Sequence, residues 1–438
     1  MSILWSMAGS EVRTAADLAS EEVVTRATRI VREGPICDHC LGRQFAKIAS
    51  GLTNVERGER VKAALQDARV ELAEGTCWLC NGLFLQLDTW VARAREALRT
   101  YEFSTFLVGT KVSGLLMANE ELLWERVEPT YAEPLKAEVN REVGKQLERA
   151  LGKTANFENP DLIVLLNLWT EQVELQSNAV FLYGRYRKFA RGLPQTRWFC
   201  RVCRGRGCDR CKYTGKMYPE SVEELIGNSL LELFHASDML LHGCGREDID
   251  ARMLGSGRPF VLEIKEPRLR YLEITTLAAK VNIENRGKIE VAELQYVQKG
   301  LVAALKAAKA EKTYQVTISF TEPDAVSERA LEAAVAALEG AVIEQRTPTR
   351  VAHRRADLVR VRRVSSARVL AFEPGHAVLE VTGDAGLYIK ELVSGDEGRT
   401  TPSLTALLGS PAEAVELDVL EVKLDPNVTE FALGKPQQ

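Results

Sequence analysis

The alternation of hydrophobic and polar residues predicts helices and a few strands in the first half of the chain. An amphipathic helix is predicted for ASEEVVTRATRIVREG, with Ser20 as its N-cap and Gly34 as its stop signal. A second helix is predicted where apolar residues recur at four-residue steps from Leu135 to Leu151. Buried strands are predicted for STFLVGTKVSG, DLIVLLNL and NAVFLYGRY, so this helix belongs to a small α/β unit.

The pattern changes after residue 218 to a larger mixed region. Strands are predicted for RPFVLEI, TYQVTISF, ADLVRVRRV, ARVLAF, AVLEVTG and LDVLEVKL. Helices are predicted for SVEELIGNSLLELFHAS, AELQYVQKGLVAALKAAK and SERALEAAVAALEG. Several strands combined with a few long helices are typical of an α+β fold with helices on one face of a sheet.

These patterns divide the 438 residues into four regions. We expect a helical, cysteine-containing region over 1–85 and a small α/β region over 86–198. A compact cysteine-rich segment follows over 199–217, and the larger α+β region covers 218–438. At about 150 residues per domain, this length predicts two or three domains.

Composition excludes several classes of protein. Hydrophobic residues make up 45% of the chain and charged residues 27%, which is ordinary for a globular protein and excludes a disordered or fibrous one. No apolar run approaches the roughly 18–20 residues that span a bilayer, and the first residues lack the basic start of a secretory signal. We therefore expect a cytoplasmic protein without a membrane partner, whose nine cysteines are reduced thiols or metal ligands.

Positive charge is concentrated in two segments. Residues 185–216 carry eleven Lys or Arg and one acid, and residues 346–368 carry eight Arg and one acid, for net charges of +10 and +7. The whole chain has a net charge of −4, so the remainder sums to −4 − 17 = −21. Basic segments on an acidic body indicate a polyanionic partner such as nucleic acid.

The spacing of the cysteines predicts metal centres. Cys37 and Cys40 form one CxxC pair, and Cys77 and Cys80 form a second pair, with 36 residues between the two pairs. Each CxxC turn places two thiolates on one side of an ion, so two pairs can close a tetrahedral zinc site.

A denser cysteine group follows in the cysteine-rich segment, with the spacing CxxCx4CxxC. The preferred interpretation is a second structural zinc site that fixes a segment too small to have its own core. An iron–sulfur cluster is the alternative, because the last three cysteines also fit a ferredoxin-like spacing. The ligands of this group are Cys200, Cys203, Cys208 and Cys211, while Cys244 is left over and is expected to be a small buried thiol.

The segment CGREDIDARMLGSGRPFVLEI carries the candidate catalytic groups. It places Arg246, Asp248 and Asp250 just before a glycine-containing turn and an apolar strand. A carboxylate beside an arginine stays ionised and can act as a nucleophile without a cofactor. The residues alone leave open whether Asp248 or Asp250 has this role.

Several motifs together resemble a known family. The chain is similar to the archaeal tRNA pseudouridine synthases that modify uridines 54 and 55 in the TΨC loop. The resemblance covers nearly the whole chain, and its motifs are CDHCLGRQFAK, CWLCNGLF, CRVCRGRGCDRCKYTGK, SVEELI, GREDIDARMLGSGRPFVLEI, QRTPTRVAHRRADLVRVR and LYIKELVSGDEGRTTPSL.

The resemblance implies a role for each of five residues. Asp248 matches the family's aspartate nucleophile, and Arg246 matches the arginine that fills the space left by a flipped base. Tyr314 in EKTYQVTISF matches the tyrosine that stacks on the target uracil, and Tyr388 in LYIKEL matches a second substrate-contacting tyrosine. Lys390 matches the basic residue that pairs with the catalytic carboxylate.

The resemblance also implies a fold, a metal and a partner. It implies a pseudouridine synthase catalytic domain with a mixed or antiparallel sheet, preceded by a zinc-binding, THUMP-like α/β module for RNA. The eight paired cysteines would hold one or two structural zinc ions, and the substrate would be tRNA. No organic cofactor and no obligate protein partner are implied. Modification of uridine 54, 55 or both, and attack at the ring or at the sugar, stay open.

Two other functional classes fit part of the sequence. A non-catalytic, zinc-containing tRNA-binding protein would explain the cysteines and the basic segments, but not the acidic turn and the two tyrosine motifs. Other THUMP-containing enzymes, such as thiouridine synthases and methyltransferases, need an ATP or SAM site. The chain has neither an SGGxDS motif nor a glycine-rich SAM loop.

Overall fold

Two separate hydrophobic cores organise the chain, one on either side of Asn178. They are seen in a computed structural model that describes residues 15–354, 356–425 and 428. Among the described residues, no helix combines the length and the apolarity that crossing a membrane requires.

The first unit combines six α-helices with a small sheet over the part of it that is described. Its helices are α1 (Glu21–Val31), α2 (Asp38–Gly42), α3 (Asn54–Asp67), α4 (Leu87–Leu98), α5 (Gly114–Arg126) and α6 (Leu135–Leu151). Its strands are β1 (Thr105–Lys111), β2 (Thr154–Ala155), β3 (Leu162–Asn167) and β4 (Gln172–Ser177). They form one sheet in the order β2-β1-β3-β4, with β1 and β3 parallel and β4 antiparallel to β3.

Local sequence signals explain where these helices begin and end. Helix α1 begins after Ser20, whose hydroxyl accepts a hydrogen bond from the N–H of Val23, as its N-cap pattern predicts. Helix α6 buries the predicted stripe of apolar residues at four-residue steps. It ends at Gly152, whose φ of 63° is favourable for glycine, and the N–H of Gly152 donates to the carbonyl of Glu148.

The second unit is built on a ten-stranded mixed sheet. Its strands are β5 (Val180–Lys188), β6 (Asp238–Gly243), β7 (Arg252–Lys265), β8 (Ile289–Val297), β9 (Glu311–Phe320), β10 (Val342–Arg346), β11 (Val359–Glu373), β12 (His376–Gly383), β13 (Thr400–Thr401) and β14 (Ala412–Lys423). Its helices are α7 (Val222–Phe234), α8 (Ile274–Glu284), α9 (Gly300–Ala307), α10 (Glu328–Leu338), α11 (Ile389–Ser394) and α12 (Leu404–Leu408).

The strand order places the candidate site at the middle of this sheet. The main path runs β13-β10-β11-β12-β9-β14-β7-β5-β8, and β6 pairs with β7 beside it. Strands β14 and β7 are parallel and pair only over Asp418–Val419 and Arg252–Met253. Because this contact is short, the loop that leads into β7 lies beside the open part of the junction.

The structure differs from the predicted elements in two places. The segment AELQYVQKGLVAALKAAK was predicted as one helix, and that prediction is wrong, because its first part belongs to β8 and only Gly300–Ala307 is helical. The segments ADLVRVRRV and ARVLAF form one long strand, β11, which continues through two irregularities in its pairing with β12.

The boundary between the two units also falls earlier than the expected boundary at residue 198. Strand β5 pairs with β7 and β8 in the second unit, so the second unit begins near residue 179. An apolar strand has the same residue pattern in either sheet, so the pattern alone does not show which strands pair with β5.

Candidate active site and cysteine clusters

A cavity of about 240 Å³ opens at the junction of β7, β9 and β14. It is lined by residues of the loop before β7, of β7 itself, of the start of β9, of the turn around Arg350, of the segment that leads into α11, and of β14. All five residues singled out for catalysis or substrate contact line this cavity, namely Arg246, Asp248, Tyr314, Tyr388 and Lys390.

The two tyrosines lie far apart in the sequence, and the backbone of each is held in place by its neighbours. Tyr314 lies in the middle of the sheet, between Val381 of β12 and Val419 of β14. Tyr388 lies directly before α11, and both its N–H and its carbonyl are hydrogen bonded to the side-chain amide of Gln345 at 2.9 Å. Strand pairing and hydrogen bonds therefore hold the backbone of both tyrosines beside the cavity.

The carboxylate of Asp248 is partly exposed and faces the cavity. Its side chain retains 31% of its accessible surface, and its Oδ2 lies 3.0 Å from Nη1 of Arg350. Arg350 is in turn held by Glu391, with 2.6 Å between Nε and Oε1. Although burial opposes it, the charges of Glu391 and Asp248 raise the pKa of Arg350, which therefore stays cationic.

Lys390 has a different partner from the one that the resemblance implies. Its Nζ lies 2.6 Å from Oδ2 of Asp250, whereas the cation beside Asp248 is Arg350. Burial acts to raise the pKa of Asp250, but the hydrogen bond and charge of Lys390 outweigh it and lower that pKa. Because Asp248 and Asp250 are only two residues apart, the sequence does not show which of them pairs with Lys390.

A buried ion pair lies beneath the loop that carries these acids. The side chain of Glu247 is fully buried, and its Oε2 accepts hydrogen bonds from Nε of Arg258 at 2.7 Å and from the hydroxyl of Tyr186 at 2.8 Å. Burial acts to raise the pKa of Glu247, but the charges of Arg258 and Lys188 lower it below its ordinary value. The carboxylate is therefore ionised and holds the loop from below.

The same buried cations also hold the loop's backbone. Nη1 of Arg258 donates to the carbonyl of Cys244 at 2.8 Å, and Nζ of Lys188 donates to the carbonyls of Asp248 and Ile249 at 3.3 and 3.2 Å. The N–H of Ala251 donates to the carbonyl of Asp248 at 3.1 Å. The residues on both sides of the exposed carboxylate are thus fixed to the sheet.

Burial sets the protonation of two further groups that line the cavity. Burial and the charge of Asp248 raise the pKa of Tyr314 to about 12, although Arg258 opposes the shift, so its phenol is neutral at neutral pH. Burial and the nearby Arg258 lower the pKa of Lys312 to about 8. Its Nζ donates to the carbonyl of Ala310 at 2.9 Å.

Sequence reasoning misses several residues of this site. Lys188 and Arg258 lie inside apolar strand patterns, and a charge in such a place needs a buried partner, which is the signal that could have found them. Arg350 belongs to the basic segment 346–368, but nothing in that segment distinguishes it from its seven neighbouring arginines.

The first cysteine cluster gathers both predicted CxxC pairs in the first unit. The sulfur atoms of Cys37, Cys40, Cys77 and Cys80 all lie within 4.8 Å of one another, and those of Cys37 and Cys80 are 3.8 Å apart. A tetrahedral ion with zinc–sulfur bonds of about 2.3 Å holds its sulfur atoms about 3.8 Å apart. The cluster therefore fits a single tetrahedral metal ion, and these four cysteines would be its ligands.

The second cluster has the same geometry within the cysteine-rich segment. Its sulfur–sulfur distances are 3.8 Å for Cys200 and Cys208, 3.8 Å for Cys203 and Cys211, and 3.7 Å for Cys208 and Cys211. An iron–sulfur cluster distributes its four thiolates over two or more iron atoms, so the four sulfur atoms cannot all lie as close together as they do here. The geometry favours a single ion, while Cys244 is buried and lies outside both clusters.

Two family models match the chain. The model described as "Pus10, C-terminal" matches residues 181–423, and the model described as "Pus10 THUMP domain, archaeal" matches residues 90–167. The first match begins close to the boundary between the two compact units. Together the two models cover both regions for which the sequence predicts a catalytic and an RNA-binding domain.

Relatives named "tRNA pseudouridine synthase Pus10" match almost the full chain. The protein from Methanothrix thermoacetophila is 47% identical over 93% of this chain and 96% of its own length. Those from Halorubrum lacusprofundi and Methanocaldococcus jannaschii are 42% and 38% identical, each over 92% of this chain and over 96% and 94% of their own lengths. Among solved structures, a Cbf5-Nop10-Gar1 complex matches 46% of this chain and 45% of its own at 20% identity, with a TM-score of 0.29, which is too low to establish a shared fold.

These matches confirm the resemblance and the fold class inferred from the sequence. The THUMP-type module precedes a catalytic-type domain with a mixed sheet, as predicted. The roles of the individual site residues stay predictions, as does the identity of the metal.

Removal of the charge on Glu247 is expected to destabilise the second unit. In Glu247→Gln the cation of Arg258 keeps its buried position but loses its anionic partner, which lowers the free energy of unfolding by about 3–5 kcal/mol. Chemical denaturation of the full chain measures this change. The control is Glu284→Gln, because Glu284 forms a partly exposed pair with Lys280 at 2.7 Å, and the expected loss there is below about 1 kcal/mol. Equal losses in the two variants would contradict a structural role for the buried pair.

Proposed function

The chain belongs to the Pus10 family of tRNA pseudouridine synthases, and we propose that it isomerises uridine 54, uridine 55 or both in the TΨC loop of tRNA to pseudouridine. The observation that supports this most is the composition of the central cavity. The carboxylate of Asp248, whose cationic partner is Arg350, lines the same cavity as Tyr314 and Tyr388. No part of the reaction needs an organic cofactor.

The reaction begins with a uridine that leaves the base stack. A uridine inside a folded loop presents neither its ring nor its sugar carbon to a protein side chain, so it is extruded into the cavity. The ring of Tyr314 receives the uracil, and base–aromatic stacking is worth about 1–3 kcal/mol. Arg246 fills the space that the base leaves behind, and Tyr388 contacts the substrate from the other segment.

Asp248 then acts as the nucleophile, at the pyrimidine ring or at the sugar carbon C1′. The bond between N1 and C1′ breaks, the ring turns, and C5 forms the new bond to C1′. The bond that Asp248 formed to the substrate breaks, which restores the free carboxylate. C5 loses its proton and N1 gains one, so the product has the same atoms as the substrate. Arg350 stabilises the negative charge of the carboxylate and positions it, and Lys390 does the same for the neighbouring Asp250.

The basic segments have a natural place in this proposal. Five basic residues of the cysteine-rich segment are exposed, which suits contacts with tRNA phosphates: Arg201, Arg204, Arg206, Arg210 and Lys212. The THUMP-type module supplies a second RNA-binding surface. We propose tRNA as the partner, while a cytoplasmic location and the absence of an obligate protein partner stay predictions.

Substitution of the nucleophile is expected to separate binding from catalysis. Asp248→Ala is expected to abolish pseudouridine formation on an unmodified tRNA transcript while tRNA binding is retained, because Asp248 acts on the bond and not on the phosphates. Wild-type protein is expected to form product without ATP, SAM or a reductant. Carbodiimide mapping locates pseudouridine, and a gel-shift assay measures binding.

The matched control is Asp250→Ala, which removes the neighbouring carboxylate. Activity that survives in Asp248→Ala and is lost in Asp250→Ala would reverse the assignment of the nucleophile. No product from the wild-type protein would instead favour a non-catalytic, zinc-containing tRNA-binding protein.

Loss of the arginine beside the nucleophile is expected to slow the reaction. Arg350→Gln removes the charge that positions Asp248, and misplacement of a reacting group costs about 10–100-fold in kcat. The control is Arg368→Gln, since Arg368 lies in the same basic segment, is 67% exposed and pairs with Glu380 at 2.7 Å. Single-turnover kinetics measure both variants, and equal rates would contradict the proposed role of Arg350.

Metal analysis is expected to find about two zinc ions per chain. Cys203→Ser removes a ligand of the second cluster and is expected to lower the content to about one ion, while Cys244→Ser is expected to leave it unchanged. Elemental analysis of the purified protein measures the content. Iron with absorbance in the visible range would contradict zinc in the second cluster.

A further inference from the structure

A second cavity adjoins the first and has no role in the reaction described above. Its volume of about 260 Å³ is close to the 240 Å³ of the first. The two share a wall formed by the loop before β7 together with Arg350 and Lys390. Since the first cavity is proposed to admit one extruded pyrimidine, the second has comparable room for one more base.

Trp198 is the aromatic residue among those that line the second cavity. Its indole ring lines this cavity and not the first, and it is partly exposed. The ring contacts Tyr218 edge to face, with 5.6 Å between centroids and an interplanar angle of 82°. The guanidinium carbon of Arg246 lies 5.9 Å from the centroid of the indole ring.

The backbone of Trp198 is fixed by the second cysteine cluster. The N–H of Met217 donates to the carbonyl of Trp198 at 2.8 Å, and the adjacent Phe199 forms a bridge with Lys216. The N–H of Cys200 donates to the carbonyl of Gly215 at 2.7 Å. These contacts join the two ends of the cysteine-rich segment and set the place of the ring at the mouth of the cavity.

The chemistry of this cavity fits a nucleotide. An indole ring offers a flat stacking surface that every base can use. The cations of Arg246, Arg350 and Lys390 line the same space, together with the carboxylates of Glu247, Asp248 and Asp250. Arg350 and Lys390 pair with two of these acids, and Arg246 is the cation next to the indole ring. Arg246 and Arg350 line both cavities, so a base in the second cavity would lie next to the same side chains as a uridine in the first.

We propose that Trp198 stacks on the base of a nucleotide directly adjacent to the target uridine and so contributes to the choice of substrate. This inference rests on the proposed function, because it takes the first cavity as the place of the extruded uridine. Trp198 contacts the neighbouring base and not the reacting one, and its contribution therefore depends on the presence of that base.

A double-mutant cycle between protein and RNA tests the proposal. Wild-type protein and Trp198→Leu are each combined with normal tRNA and with tRNA that has an abasic residue immediately 5′ or immediately 3′ of the target. We expect the two changes to be non-additive in kcat/KM by about tenfold at one of the two flanks, which corresponds to about 1.4 kcal/mol. Trp198→Phe, which keeps an aromatic ring, is expected to retain most of the effect. Additive changes at both flanks would overturn the proposal.

Two further measurements keep the outcome clear. The same cycle is also measured in the affinity for tRNA. A wild-type protein that makes no pseudouridine would contradict the proposed function. Non-additivity in affinity would still test the role of Trp198. If Trp198→Leu does not fold, 5-iodouridine is placed at each flank and crosslinked to wild-type protein. Mass spectrometry is then expected to find the crosslink on Trp198 for one flank, and crosslinks on other residues alone would overturn the proposal.

Discussion

The buried pair of Glu247 and Arg258 is the interaction on which the candidate site depends. The carboxylate of Asp248 is partly exposed and so cannot anchor the loop by being buried. The preceding residue, Glu247, anchors it instead. Glu247 points into the sheet and Asp248 faces the cavity. Because separating two buried charges is costly, the pair stabilises this position of the loop and with it the orientation of Asp248.

The cavity balances its charges in two adjacent pairs. Asp248 pairs with Arg350, and Asp250 pairs with Lys390. The buried Glu391 holds Arg350 from the other side, so the arginine lies between two acids. Because acids of the same chain already determine the positions of these cations, the cost of ordering them on binding an anion is lowered.

The sequence predicted more of the site than of the sheet. The five residues that the motifs single out lie in three segments of the chain, and all five line one cavity. Each of these motifs carries its own local signal. Pairing between distant segments has no such signal. Arg350 and Asp248 are about a hundred residues apart in the sequence. That Asp248 pairs with Arg350 and not with Lys390 depends on how α11 and the turn around Arg350 approach the loop. The misassigned start of β8 has the same origin, since its strand conformation comes from pairing with β5 and not from its own residue pattern.

Strand β5 lies next to the first unit in sequence but is an interior strand of the second unit's sheet, between β7 and β8. It also supplies Tyr186 and Lys188 to the network beneath the loop. A chain that begins at residue 199 or 218 would lack β5. The facing edges of β7 and β8 would then have no hydrogen-bond partners, and another chain could add a strand between them. The catalytic half can therefore be separated from its neighbour only by a cut on the N-terminal side of Val180.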